Sequence, residues 1–195
     1  TGKTAVMLSV TVACIEAGIR PVVWVVPPGL RTNTSREMDK FAPSLTTQFP
    51  SGKTPPCLAD TDVIVVGDSV VADWAETIVE HGVGALCVDE VHRQKSFKAR
   101  RSQGTKTIAR AVPKGHPIIA ASGTPLPNHP SELCSPLDIL GVLPQFGGVR
   151  NFLDTYCPVL KGNRWGARGI DFSELSNLNK RLLDKCMIRT LKEDV

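Results

Sequence analysis

Apolar positions fall into two kinds of run along this chain. Continuous stretches rich in Val and Ile at Pro21–Val26, Val63–Val66, Ala85–Val88 and Pro117–Ala121 are each bounded by turn residues, which predicts strands buried on both faces. Between them, helical spacing over Thr4–Ala17, Ser35–Phe41, Val70–Glu80 and Gly104–Ala111 predicts the crossover helices of βαβ units. The alternation predicts a doubly wound α/β domain: a mostly parallel sheet flanked by helices on both faces. Further helices are expected at Ser131–Leu140, after the capped start Pro130-Ser131-Glu132, and at Ser173–Lys185, where Leu175, Leu178, Leu182 and Leu183 share a face. The glycine-bearing and basic stretch Gly147–Ile170 reads as an irregular excursion from the sheet.

A length of 195 residues suits one domain with a core of its own. Apolar residues at 42% and charged residues at 22% are ordinary for a globular chain. The longest apolar runs, such as Pro21 to Leu30, are too short to cross a bilayer, so no membrane role is expected. The six cysteines, Cys14, Cys57, Cys87, Cys134, Cys157 and Cys186, form no C-x-x-C pair and have no His at ligand spacing, which argues against zinc. Several lie within apolar stretches, as Cys87 does, and read as reduced thiols of a protein inside the cell: cytoplasm or nucleoid for a bacterium or phage, nucleus for a eukaryote. A formal charge of +4 neither requires nor opposes a polyanionic partner.

Candidate chemistry comes from short motifs placed at element ends. Thr1-Gly2-Lys3-Thr4 runs straight into an apolar helical stretch, as the second half of G-x-x-x-x-G-K-[ST] does. In that motif the backbone N–H groups at a helix start face the phosphates. Lys3 then reaches the terminal phosphates and Thr4 coordinates magnesium. Alone the tripeptide is weak, and Gly52-Lys53-Thr54, ahead of Pro55-Pro56, reads as a loop. Next, Ala85-Leu86-Cys87-Val88-Asp89-Glu90-Val91-His92 is an apolar strand delivering two carboxylates at its C-terminal end, where ligands bind in such sheets. Asp89 suits magnesium, Glu90 suits orienting or activating an attacking water, and His92 could link them to neighbouring loops. An isolated Asp-Glu after a strand would equally be a solvated turn. Finally, Ser122-Gly123-Thr124-Pro125 follows a strand with small hydroxylic residues, and by itself this reads as a plain turn. Their order along the chain is what joins the three into one site.

In that order the motifs resemble the Swi/Snf family of helicase-like DNA-dependent ATPases, over nearly the whole chain. Asp89-Glu90-Val91-His92-Arg93-Gln94-Lys95 resembles its D-E-A-H-R-x-K block and Ser122-Gly123-Thr124-Pro125-Leu126-Pro127-Asn128 its S/T-G-T-P-x-x-N block, with Glu132-Leu133 following. Met187-Ile188-Arg189-Thr190-Leu191-Lys192-Glu193-Asp194-Val195 is similar to the segment leading towards a second lobe. Asn151-Phe152, Tyr156-Cys157, Trp165-Gly166 and Ser176-Asn177-Leu178 are similar to the HARP-like annealing-helicase branch and its bacterial and phage relatives. The resemblance implies a RecA-like P-loop lobe with ATP and Mg2+, acting on duplex or forked DNA by translocation. It implies that residues 1–195 are the first, ATP-binding lobe, without the start of the phosphate loop, and that a second RecA-like lobe of the same parent is its partner. A sheet lacking the strand before that loop is expected to be marginally stable. Carried over residue by residue, the implied nucleotide contacts are Thr1, Gly2, Lys3, Thr4, Asp89, His92, Ser122 and Thr124, with Thr4 and Asp89 at the metal and Lys3, Asp89 and Glu90 in hydrolysis. His92, Ser122 and Thr124 would couple ATP to DNA. Gly67-Asp68 stands where the family usually has a pair containing an aromatic residue, and no aromatic lies between Pro28 and Glu37.

Basic residues crowd the stretch after the carboxylates: Arg93, Lys95, Lys98, Arg100, Arg101 and Lys106, with Phe97 among them. They read either as a solvated face or as grips on DNA phosphates, and both readings stand. Lys161, Arg164 and Arg168 around Trp165 form a second, weaker cluster. Two alternatives to a motor lobe remain: a non-catalytic module that binds nucleotide or DNA, and a lobe of an RNA helicase. Gly123, where RNA helicases commonly carry Ala, and the Arg189–Val195 ending argue against RNA.

Overall fold

A computed structural model describes residues 2–52, 57–124, 129–159 and 168–189. Thr1, Lys53–Pro56, Pro125–Asn128, Trp165 with Lys161 and Arg164, and the ending 190–195 lie outside the described residues. The chain divides into two compact units, Thr1–Pro125 and Leu126–Val195, and each is described by itself.

The first unit is built on a five-stranded sheet in the order β2-β3-β1-β4-β5, with β1 at Val22–Val26, β2 at Thr47–Gln48, β3 at Val63–Gly67, β4 at Ala85–Val88 and β5 at Ile118–Ala120. Every pairing is parallel, as the predicted crossovers require. Residues of β1, β3 and β4 are all buried, which explains why their sequences are continuous apolar runs rather than alternating ones. Alternation along each strand nevertheless sorts the core into two layers. Val22, Trp24, Val26, Val63, Val65, Ala85 and Cys87 share one cluster with Met7, Leu8, Cys14, Ile15 and Met38. These helix residues come from α1 (Lys3–Glu16) and α2 (Arg31–Phe41). The intervening residues, including Val25, Ile64 and Leu86, face the other side. That side is covered by α3 (Val71–His81) and α4 (Arg100–Ala111), which bury Trp74, Ile78 and Ile108. Helices therefore flank both faces.

Between β1 and α1 the buried polar atoms pair with one another. The Trp24 indole N–H donates to Thr11 Oγ1 at 2.9 Å, and the Thr11 hydroxyl donates to Met7 O at 2.9 Å. Burial pushes the neighbouring Cys87 thiol up to about 12, so it stays neutral and packs as a small hydrophobe. All six cysteines are free thiols.

Three boundaries differ from the sequence reading. The short edge strand Thr47–Gln48 was not expected: it is only two residues long and polar, so no apolar run announces it. Helix α2 begins at Arg31 rather than Ser35, directly after a single turn at Pro28–Leu30. Helix α4 begins at Arg100 rather than Gly104, so Arg100 and Arg101 are helical, as Lys106 was expected to be.

In the second unit, α5 (Cys134–Ile139) and α7 (Leu175–Lys185) match the predicted helices. Part of the supposed excursion is also helical, as α6 at Gly148–Tyr156. Phe152 lies edge-on to both Phe146 and Tyr156, with ring centroids 6.1 and 4.9 Å away. Arg181 closes this cluster, stacking over Phe146 at 4.9 Å and donating to Tyr156 Oη at 2.8 Å. Among the described residues no helix is long and apolar enough to cross a membrane.

Candidate nucleotide site

The site lies at the C-terminal ends of β4 and β5, beside the start of α1. Gly2 precedes α1 in the left-handed region, φ 67°, and no side chain caps the helix. No acidic residue occupies the first turn either, so the helix start keeps its N–H donors and positive dipole end for an anion. Lys3 is the first helical residue, and its ammonium pairs with Glu90 Oε1. A Cβ added to Gly123 would stand 3.7 Å from Lys3 Nζ. The three motifs, far apart in sequence, thus meet around one ammonium group.

The backbone places the carboxylates. Asp89 N donates to Val25 O at 2.9 Å, holding the end of β4 against β1, while Val91 N donates to Ala121 O at 2.9 Å and ties the following turn to β5. Between them Glu90 adopts φ 48° and ψ 51°. A left-handed non-glycine residue costs on the order of 1–3 kcal/mol and persists where its surroundings impose it. The two carboxylates take different partners, Glu90 facing Lys3 and His92. Asp89 Oδ1 accepts from Glu90 N at 2.9 Å. Burial raises the Asp89 carboxyl above its ordinary value, and the neighbouring Glu90 charge adds to this, while the Glu90 N–H, Lys3 and His92 pull it down. A bound cation would relieve that desolvation.

His92 extends the site. Its Nδ1 lies 3.2 Å from Glu90 Oε2 and 2.9 Å from Ser122 Oγ, and Thr124 N donates to that same hydroxyl at 3.1 Å. One polar chain therefore runs from Lys3 through Glu90, His92 and Ser122 to Thr124. Thr4 is half-buried in the first turn of α1, and Thr1 lies outside the described residues.

The basic cluster behaves otherwise. Arg93 Nε donates to Asp68 Oδ2 at 2.6 Å and its Nη2 lies 3.4 Å from Oδ1. Arg101 Nη1 lies 3.5 Å from the same Oδ2. The Asp68 partner raises the Arg93 guanidinium further above its ordinary value. Arg100 pairs with Asp73, an exposed contact worth little. Lys106 is buried, with its ammonium 3.6 Å from the Phe97 ring centroid. Lys95 and Lys98 are exposed. In the second unit, Arg168 is bound to Cys157 O and to Asp154, both at 2.9 Å. Asp68 was missed as a partner for the arginines because nothing in the local sequence joins residues 25 and 33 positions apart.

The donor set fits magnesium. Asp89 and Thr4 offer hard oxygen ligands, and among the described residues no group of three or more His, Cys, Asp or Glu side chains could cage a metal by itself. Mg2+ is typically held by one or two carboxylates together with substrate phosphates rather than by an all-protein cage.

A parallel sheet with a helix start, a carboxylate pair and a hydroxyl loop gathered at one end defines a nucleotide-handling lobe of RecA type. This chain belongs to the SNF2-related domain family, whose pattern matches residues 1–195. It is 30% identical over 210 residues to the human DNA annealing helicase and endonuclease ZRANB3, covering 100% of this chain and 18% of that protein. The bovine protein of the same name is 31% identical over 191 residues, 90% of this chain and 17% of its own length. Among solved structures, the Sulfolobus solfataricus SWI2/SNF2 ATPase core in complex with dsDNA superposes with a TM-score of 0.76 at 21% identity, covering 99% of this chain and 38% of that one. The likeness confirms the fold. The chain spans less than a fifth of the length of these curated relatives.

Proposed function

We propose that residues 1–195 are the first, ATP-binding RecA-like lobe of a DNA-dependent ATPase that couples hydrolysis to movement on duplex or forked DNA, working with a second RecA-like lobe of the same parent chain. The observation that carries this reading is the meeting of Lys3, at the uncapped start of α1, with Glu90 and the Gly123 loop. Family membership and the annealing-helicase relatives support ATP as the substrate and DNA as the partner. The free thiols support a reducing compartment inside the cell.

In this reading the helix start and Lys3 bind and orient the phosphates, Lys3 exchanging its Glu90 partner for phosphoryl oxygens. Glu90, so released, takes a proton from the attacking water or orients it, and His92 holds the other carboxylate oxygen. Mg2+, held by Thr4 and Asp89, would neutralise charge on the transferring phosphoryl group. His92, Ser122 and Thr124 would report the state of Glu90 to the loop after β5, where coupling to DNA begins. Contacts to the DNA backbone are assigned to the exposed Lys98 and to Lys95.

The test is steady-state phosphate release by the full-length protein alone and with duplex, forked or single-stranded DNA, or with RNA. Duplex or forked DNA is expected to stimulate turnover most. Stimulation by RNA alone would assign the lobe to an RNA helicase, and no turnover under any condition would make it a nucleotide-binding module.

A further inference from the structure

The segment after the carboxylate pair is braced from several sides. Arg93 N donates to Glu90 O at 2.9 Å, closing the turn that begins at Glu90. Ser102 Oγ, on α4, donates to Gln94 O at 3.0 Å, and both residues are buried. Lys106 of α4 covers Phe97. At the centre is Asp68, 2% exposed, fixed to the sheet by its own N–H, which donates to Val26 O at 2.8 Å.

We propose that Asp68 is a positioning residue for Glu90: by gripping Arg93 and Arg101 from the end of β3, it locks the turn Glu90–Arg93 and holds the left-handed backbone that aims the Glu90 carboxylate. This inference rests on Glu90 being the hydrolytic carboxylate. It also assigns the two arginines to an internal clamp instead of a nucleic-acid backbone. The geometry favours the clamp. Arg93 approaches Asp68 with two nitrogens, an arrangement that fixes orientation as well as charge. For Arg93 to reach a DNA phosphate it would have to leave a nearly fully buried carboxylate short of its closest partner, and stranding a buried charge is strongly unfavourable. Arg93 is three residues from Glu90 and hydrogen-bonded to it through the backbone, so displacing its guanidinium shifts the turn itself. Arg101 joins α4 to the same carboxylate, and α4 braces the rest of the segment.

The experiment is DNA-stimulated hydrolysis by the full-length protein carrying Asp68→Asn, in the native background and with Glu90→Gln. Asp68→Asn is expected to lower kcat by about ten- to a hundredfold, the scale of a small misplacement of a catalytic group, with KM for ATP changed less than about twofold. In the Glu90→Gln background that loss is expected to vanish, because a residue acting through Glu90 has nothing left to position. Native kcat in Asp68→Asn, or an undiminished loss in the Glu90→Gln background, overturns the proposal. If Asp68→Asn does not fold, Arg93→Lys keeps the charge but loses the two-nitrogen grip, and is expected to lower kcat at an unchanged melting midpoint; native kcat there overturns the proposal too. The slope of DNA affinity against salt is expected to be unchanged in Arg93→Lys and Arg93→Gln; a slope reduced in Arg93→Gln by about one phosphate contact returns Arg93 to the DNA. Native turnover in Glu90→Gln by itself overturns the hydrolytic reading and this inference with it, an outcome distinct from an inert Asp68.

Discussion

Glu90→Gln is expected to lower DNA-stimulated ATP turnover by the full-length protein by about 10²–10⁴-fold, the usual contribution of a positioned general base, while ATP binding is retained or tightened. The two halves of this result have one cause. Glu90 stands at the junction of Lys3 and His92, and an amide there can neither accept a proton from water nor hold the Lys3 ammonium by charge. Turnover therefore falls. At the same time Lys3 no longer gives up an ion pair when phosphates arrive, which favours binding. Phosphate release measured beside equilibrium binding of an ATP analogue separates the two. Unchanged turnover, or turnover and binding lost together, would contradict the role given to Glu90.

The second large effect concerns stability, at Gly104 in the middle of α4. A Cβ there would stand 2.6 Å from Ala72 Cα, 2.7 Å from Ala72 N and 2.9 Å from Val71 C. These are backbone atoms of α3, so no side-chain rotation can make room. The close packing of α3 on α4 depends on this missing methyl group. Gly104→Ala gains roughly 1 kcal/mol in helix propensity, but overpacking against backbone costs about 3 kcal/mol or more, and the clash wins. The expected net loss of about 2 kcal/mol corresponds to a melting midpoint lower by roughly 4–8 °C for a domain of this size. Gly104→Val should lose more. Gly29→Ala, where a Cβ meets nothing within 4 Å, is the matched control and should shift the midpoint little. A Gly104→Ala protein as stable as the native one would show that α3 and α4 sit further apart than described.

Much of the first unit could be read in advance because its strands are buried on both faces. Val22–Val26, Val63–Gly67 and Ala85–Val88 have no polar face to maintain, so the runs are unbroken and bounded by turns. Helix starts were harder to place. Lys98 to Arg101 looks like a solvated loop, yet Ala99 is extended and α4 starts immediately after it. Helix α6 was hidden by Gly147 and Gly148, both at positive φ, although Phe152 and Tyr156, four apart and both buried, carried a helical signal. The site motifs were each legible, but their convergence was not a property of any one of them. That Lys3 rests on Glu90, 87 residues away, follows from the parallel order of β1, β4 and β5, which brings those ends together. Likewise the basic run announced charge without announcing Asp68, whose role exists only once the fold brings the end of β3 within reach of Arg93 in the turn after β4.

The central claim, that Lys3 at the start of α1 and the Asp89–Glu90 pair form an ATP site, is tested most directly by equilibrium binding of a fluorescent ATP analogue with Mg2+ to the full-length protein and to its Lys3→Met variant. Binding by the native protein and a loss of roughly ten- to a hundredfold in Lys3→Met is predicted, the scale of a lost hydrogen bond to a charged group. Equal affinity in the two proteins, or no binding by the native one, would contradict it.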